Sequence, residues 1–249
     1  MERSLPRAGD ERSAGTDRPR APDNPRSSFS HAFLLLVALF ISCLIAANII
    51  AVKVVEIFGL VLPAAIIIFP LSYILGDVLT EVYGYHQARR VIWLGFLCNL
   101  IVVAAIEAAR VMPAAQFWEG QESFERILGY TPRLLVASFL AYLIGEFANA
   151  FVLAKMKIAT GGRWLWTRTI GSTIIGQALD SAVFITLAFA GTIPSAVLAS
   201  AIVTQWLVKS AYEALATPLT YAAVNFLKRA EGIDHYDLAT RFNPFRITG

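Results

Sequence analysis

The chain has 249 residues, 57% of them hydrophobic and only 16% charged, with a mean hydropathy of +0.60 and a net charge of +3. A soluble domain carries about a quarter charged residues, and here the apolar residues come in long blocks rather than at strand or surface-helix spacing. That excludes an ordinary soluble enzyme and points to an all-α integral membrane protein.

Residues 1–30 are rich in Arg, Pro, Asp and Ser and cannot bury enough apolar surface to fold, so a disordered tail is expected. The run that follows, "AFLLLVALFISCLIAANIIAV", exceeds the 7–15-residue core of a secretory signal and reads as a membrane span. Six transmembrane helices are expected, at about 32–52, 63–85, 91–112, 133–154, 166–190 and 196–227. They form a membrane domain over 31–230, with a polar C-terminal segment at 231–249. Between the third and fourth spans, "PAAQFWEGQESFERILGYTPR" mixes aromatic and acidic residues and suggests a short interfacial helix, with Trp118 and Phe124 at headgroup level.

The basic residues fix an orientation. Sixteen of the 21 Lys and Arg fall in the tail, the 2–3 loop, the 4–5 loop and the C-terminal segment, all on one side of a six-span topology. Both termini are then cytoplasmic. Cys43 and Cys98 lie in apolar blocks without a CxxC pair, and His31, His86 and His235 are dispersed, so neither a disulfide framework nor a metal site is expected. No cofactor is implied. There is no GxxxxGK[ST], HExxH or GxSxG, and the loops leave no room for a soluble catalytic domain, which argues against an enzyme.

The polar residues inside the spans carry the functional information. A charge at the bilayer centre costs about 2.5–3.5 kcal/mol on insertion scales, yet Asp77, Glu146, Asp180, Lys209 and Glu213 all lie within spans. They must face one another, water or a ligand. Tyr73, Asp77, Glu81, Tyr85 and Arg89 recur every four residues and predict one polar stripe on span 2. Span 4 adds Glu146 and Asn149; span 5 adds Thr173, Gln177 and Asp180; span 6 adds Gln205, Trp206, Lys209 and Glu213; span 1 ends near Asn48; span 3 carries Asn99. Lys209 is the counter-ion available to the acids, with Glu213 four residues away.

Structural readings compete at several positions. Glu81 can reach the interface beside Arg89 and Arg90, Lys209 with Glu213 can be a staple between helices, Asn99 can tie helices together, and Tyr73 and Trp206 can be packing residues. Pro70 and Pro218 are expected to free backbone groups inside spans 2 and 6. Gly76, Gly145 and Gly176 each precede a polar residue and would let helices approach closely. "YILGDVLTEV" at 73–82 and "TIIGQALDSA" at 173–182 share Ile, Gly and Leu positions, which suggests two inverted three-helix repeats with chance similarity as the rival.

"FPLSYILGDVLTEVYGYHQARRVIW" at 69–93, with "GSTIIGQALDS" at 171–181 and "KSAYEALATPLTY" at 209–221, resembles the recurring segments of the queuosine precursor transporter family, also called the vitamin uptake transporter family. The likeness covers about 30–232. It implies import of 7-cyano- or 7-aminomethyl-7-deazaguanine by alternating access, with proton linkage left open. The partners expected are then a purine-like small molecule and the lipid bilayer, with no nucleic acid and with a homodimer left open. A guanine-like edge suits a carboxylate that accepts two N–H groups, an amide that serves the carbonyl and an aromatic face. Asp77, Glu146 and Asp180 are the carboxylates that could do this, Asp77 and Asp180 foremost because they fall in the two repeat halves; Asn149, Gln177, Tyr73 and Trp206 complete the substrate set. Glu81, Lys209, Glu213 and Asn48 are assigned to a charge network coupled to transport. A substrate-binding subunit of an ATP-driven uptake system and an intramembrane enzyme are the alternatives.

Overall fold

The computed structural model describes residues 30–57, 60–129, 132–238, 240 and 242–245. The expected disordered tail thus lies outside the described residues, apart from Ser30. That serine caps the first helix, α1 (His31–Ile50), accepting a hydrogen bond from Phe33 N at 3.0 Å. An antiparallel hairpin follows, β1 (Val54–Ile57) with β2 (Leu60–Pro63), in the register Val55 to Leu62 and Glu56 to Val61. It departs from the all-helical expectation. The β-branched run "VVEI" favours a strand, and pairing satisfies backbone groups that a loop there would leave open.

A 3₁₀ turn at Ala64–Ile67 leads into α2 (Phe69–Tyr83). The rest of the bundle is α3 (Tyr85–Val111), α4 (Gln121–Leu128), α5 (Pro132–Ala159), α6 (Leu165–Phe189) and α7 (Ser195–Glu231). A helix thus stands at each of the six expected positions, with the short α4 where an interfacial helix was expected. Among the described residues, four segments are long and apolar enough to cross a membrane: His31–Ile50, Tyr85–Val111, Leu165–Phe189 and the Gln121–Ala159 stretch that contains α5. The chain is an all-α membrane protein with several such helices. At 1.5 Å per residue α2 is about 22 Å long, shorter than a hydrocarbon core of about 30 Å.

Two expectations about helix breaks change. Pro70 is the second residue of α2, in the first turn, where its missing N–H interrupts nothing. α7 continues through Pro218. The real break is at Gly84, whose φ of 84° lies in the left-handed region open to glycine. It separates α2 from α3, so the predicted stripe is divided. Tyr73, Asp77 and Glu81 lie on α2, whereas Tyr85 and Arg89 begin α3.

The packing is polar inside and apolar outside. Leu35, Ile101, Val136, Leu215 and Leu219 are exposed, while Asp77, Glu81, Asn149, Arg168, Ser172 and Gln177 are buried. In water this arrangement would be costly; against lipid it is the favourable one. A cluster of Phe33, Phe40, Ile74, Val78, Leu79 and Val224 packs α1, α2 and α7 together. Gly145 on α5 and Gly176 on α6 face each other so closely that a Cβ on either would come within 3.2 Å of the other's carbonyl oxygen. Small residues at that contact bring the polar residues of the two helices together.

Candidate functional site

Four helices contribute to a polar cluster in the middle of the bundle. From α2, Asp77 is only 1% exposed, and its Oδ1 accepts from Asn149 Nδ2 of α5 at 2.8 Å. From α6, Asp180 Oδ2 accepts from Lys209 Nζ of α7 at 2.5 Å. Glu213 of α7 accepts from Thr173 Oγ1 at 2.7 Å and from Gln177 Nε2 at 3.5 Å. The Tyr73 side chain hydrogen-bonds with Gln177 and feels the charges of Asp180, Glu146 and Glu213. Lys209 and Glu213, offered above as a possible staple, still interact electrostatically. Lys209 reaches across to Asp180, and Glu213 is held by neutral donors on α6.

Glu146 is placed differently. It is 6% exposed and interacts electrostatically with Glu213, Asp180 and Lys209, but no hydrogen bond is made to its carboxyl among the described residues. Its Oε2 would lie 3.4 Å from a Cβ on Gly76. It borders a cavity of about 10 Å³, walled by Phe40, Leu79, Val91, Ile92 and Ala150, with room for about one water. Two further atoms of the cluster, Asn149 Oδ1 and Gln177 Oε1, are buried acceptors without a partner among the described residues. A buried carbonyl left unsatisfied costs roughly 1–3 kcal/mol, and here two are held beside four carboxyl groups.

Eight of the predicted residues are thus brought together: Tyr73, Asp77, Glu146, Asn149, Gln177, Asp180, Lys209 and Glu213. Trp206 donates its indole N–H to the Ile174 carbonyl at 2.9 Å, so it stitches α7 to the backbone of α6. Asn48 is half-buried near the end of α1 and takes no part in the hydrogen bonds just described.

Glu81 belongs to a second site, one turn along α2. It is 0% exposed. Arg168 of α6 grips it as a fork, Nε to Oε2 at 2.8 Å and Nη2 to Oε1 at 2.6 Å. Lys228 Nζ of α7 lies 2.7 Å from Oε1. Lys157 Nζ of α5 donates to the Glu81 carbonyl at 2.6 Å. Asp234, just beyond α7, takes the same two ammonium groups, Lys157 at 2.6 Å and Lys228 at 2.8 Å. Burial pushes the Asp234 carboxyl up, but the hydrogen bonds from Lys157 and Lys228 outweigh it and hold the group below the usual carboxylate range. The alternative in which Glu81 reaches the interface beside Arg89 and Arg90 does not describe the fold, since its carboxyl is fully buried and held by Arg168 and Lys228.

Lys157, Arg168 and Lys228 were visible in the sequence only as topology signals. The clue to their role was available: a carboxyl near the inner end of span 2 needs cations, and the same topology gathers these three at that end.

The family whose model, described as "Putative vitamin uptake transporter", matches this chain does so over residues 63–223, from β2 to α7. A relative in Bacillus subtilis (strain 168), named "Probable queuosine precursor transporter", is 30% identical over 188 residues, 75% of this chain and 82% of its own length. One in Escherichia coli (strain K12), named "Queuosine precursor transporter", is 26% identical over 121 residues, 49% of this chain and 52% of its own. No solved structure matches. These relatives are named as transporters, not enzymes. With a family model covering well over half of its length, and with its acids and amides turned inward among apolar helices, this chain belongs to the vitamin uptake transporter family.

Proposed function

We propose that the protein imports queuosine precursors of the 7-deazaguanine type across the bacterial inner membrane by alternating access. The relatives' names support the substrate class. The observation that carries the reading is the acceptor-rich cluster itself. Asp77, Asp180, Asn149 Oδ1 and Gln177 Oε1 offer buried oxygen acceptors, matched to a flat heterocycle whose edge is rich in N–H donors. Asp77 and Asp180 hold that edge in this reading, and Tyr73 supplies the aromatic face. In this reading Asp77 and Asn149, hydrogen-bonded to each other across α2 and α5, part to admit the substrate, a rearrangement of the kind alternating access supplies. Six crossings with both termini cytoplasmic, built as two inverted three-helix halves, accommodate this motion. Gly76 and Gly176, matched between the halves, both pack against α5.

The cluster has four carboxyl groups and one lysine, so it needs protons. Glu146, the carboxyl without a hydrogen-bond donor among the described residues, is the group we assign to carry a transported proton.

The test is uptake in a bacterium that cannot make queuosine and lacks its own importer. Expression of this chain with nanomolar precursor is expected to restore queuosine in tRNA, read on a boronate gel. Asp77→Asn and Asp180→Asn, at matched membrane levels, are expected to reduce uptake at least about tenfold, the equivalent of one lost charged hydrogen bond. A well-inserted wild type that restores nothing would overturn the substrate class; full activity in both variants would overturn the site.

Glu146→Gln separates binding from coupling. It is expected to bind the precursor in detergent with Kd changed less than about threefold, yet to lose the stimulation that an inward proton gradient gives wild-type vesicles. Stimulation that survives in Glu146→Gln rules out this residue as the carrier.

A further inference from the structure

Beyond α7 the chain does not trail away. Gly232 turns it, with a φ of 67°, and the described residues of 233–238 and 242–245 contact the ends of α2, α3 and α5. His235 N donates to the Val82 carbonyl at 3.2 Å. Asp237, 3% exposed, accepts from Tyr85 N at 2.8 Å and so caps the first turn of α3. Arg89 and Trp93 of α3 donate to the carbonyls of Asn243 and Pro244 at 2.6 and 2.8 Å. The Phe242 ring lies 5.1 Å from that of Tyr85 and 5.4 Å from that of Phe151, with Lys155 Nζ 4.1 Å from its centre. At Gly84 a Cβ would stand 2.3 Å from His235 Cδ2, so the strap lies tightly over the α2–α3 break.

This strap and the Glu81 knot share their charges. Lys157 and Lys228 each serve both Glu81 and Asp234. With Asp234 docked, three cations meet two carboxylates. Without it, three cations would crowd a single buried carboxylate, an arrangement that repels itself in a low-dielectric site. The knot joins α2 to α5, α6 and α7, and the strap joins the end of α7 to α2 and α3. Both therefore cross the same line, between the helices before and after the α4 region.

We propose that the Glu81 knot and the C-terminal strap are one latch that holds the cytoplasmic end of the bundle shut, and that its release opens the central cluster to the cytoplasm. The proposal rests on the alternating-access reading above. The strap acts through Asp234: undocking it unbalances the knot, and the ends of α2 and α6 separate.

The experiment reads access directly. Ser172 is buried on α6, one turn from Arg168 and one turn before Gly176. In a chain with Cys43→Ser and Cys98→Ser, Ser172→Cys is the single reporter thiol. Inside-out vesicles are exposed to a membrane-impermeant maleimide. Labelling is expected to be slow with the latch intact. It should be about tenfold faster in Asp234→Asn and in a chain ended after Gly232, as for a shift of one decade in the open population. In right-side-out vesicles the same variants are expected to label no faster than the parent. Unchanged labelling from the cytoplasmic face in both variants overturns the latch. So does equal acceleration from both faces, which would mark a structural tie whose loss loosens the whole bundle. If labelling accelerates as expected but the intact chain imports no precursor, the latch stands and the substrate reading falls. If import is normal and labelling is unchanged, the latch alone falls.

Discussion

Lys209→Met is expected to remove most of the protein from the detergent-extractable, monodisperse pool, and Asp180→Asn in the same chain to bring much of it back. The Lys209–Asp180 pair is 2.5 Å long and its side chains are 18% and 11% exposed. Breaking a buried pair by deleting one partner costs about 3–5 kcal/mol, because the other charge is left stranded. Removing both charges together leaves neither member of the pair stranded and is often close to neutral. The double variant should therefore recover to within about 1 kcal/mol of wild type, a coupling read from the four-membered mutant cycle. Transport should not recover with it, since Asp180 is one of the two carboxylates assigned to the substrate. Thermal unfolding followed by size-exclusion chromatography gives the stability arm, and the boronate gel gives the transport arm. A Lys209→Met chain as stable as wild type would show that the pair does not hold the bundle together.

The sequence showed the depth of the polar residues better than their partners. Burial cost alone requires Asp77, Glu146, Asp180, Lys209 and Glu213 to turn inward, and they do. Helical spacing also placed Tyr73, Asp77 and Glu81 on one face of α2. The same spacing overreached at Tyr85 and Arg89, because periodicity cannot see that Gly84 is used at positive φ to start a new helix. Spacing along one helix was likewise an incomplete guide to partners. Lys209 and Glu213 are four apart and interact electrostatically, but it is the approach of α6 and α7 that also brings Asp180 within 2.5 Å of the ammonium. The hairpin was missed because its strands fall almost wholly between the first two expected spans, where a short apolar run bounded by a turn reads as a connection. The strap was missed because "HYDLATRFNPF" is polar on average. Its signal was three aromatic residues, Tyr236, Phe242 and Phe245, in a segment with no helical period.

The contact that sets the cluster's geometry can be tested without touching a charged group. A Cβ on Gly176 would stand 2.8 Å from Asn149 Cβ and 3.0 Å from the Gly145 carbonyl oxygen. Neither atom lies at the end of a flexible side chain, so α5 and α6 would have to move apart by several tenths of an ångström. Overpacking of this kind costs about 1–3 kcal/mol. The displacement would also reach function, since the same Asn149 donates to Asp77 at 2.8 Å, a contact with little slack. Gly176→Ala is therefore expected to lower thermal stability by that amount and to cut uptake at least about tenfold. Gly171→Ala, on the same helix, is the matched control. Its Cβ would meet only the Met156 Sδ and Cε atoms, each at 3.0 Å, and that end of a thioether side chain can swing aside. It should lose less than about 0.5 kcal/mol and keep near-normal uptake. Comparable losses in the two variants would show that glycine at 176 matters for helix flexibility in general and not for the close approach of α5 and α6. A large loss at 176 with little at 171 ties the position of the Asp77 carboxylate to a glycine contact on another pair of helices.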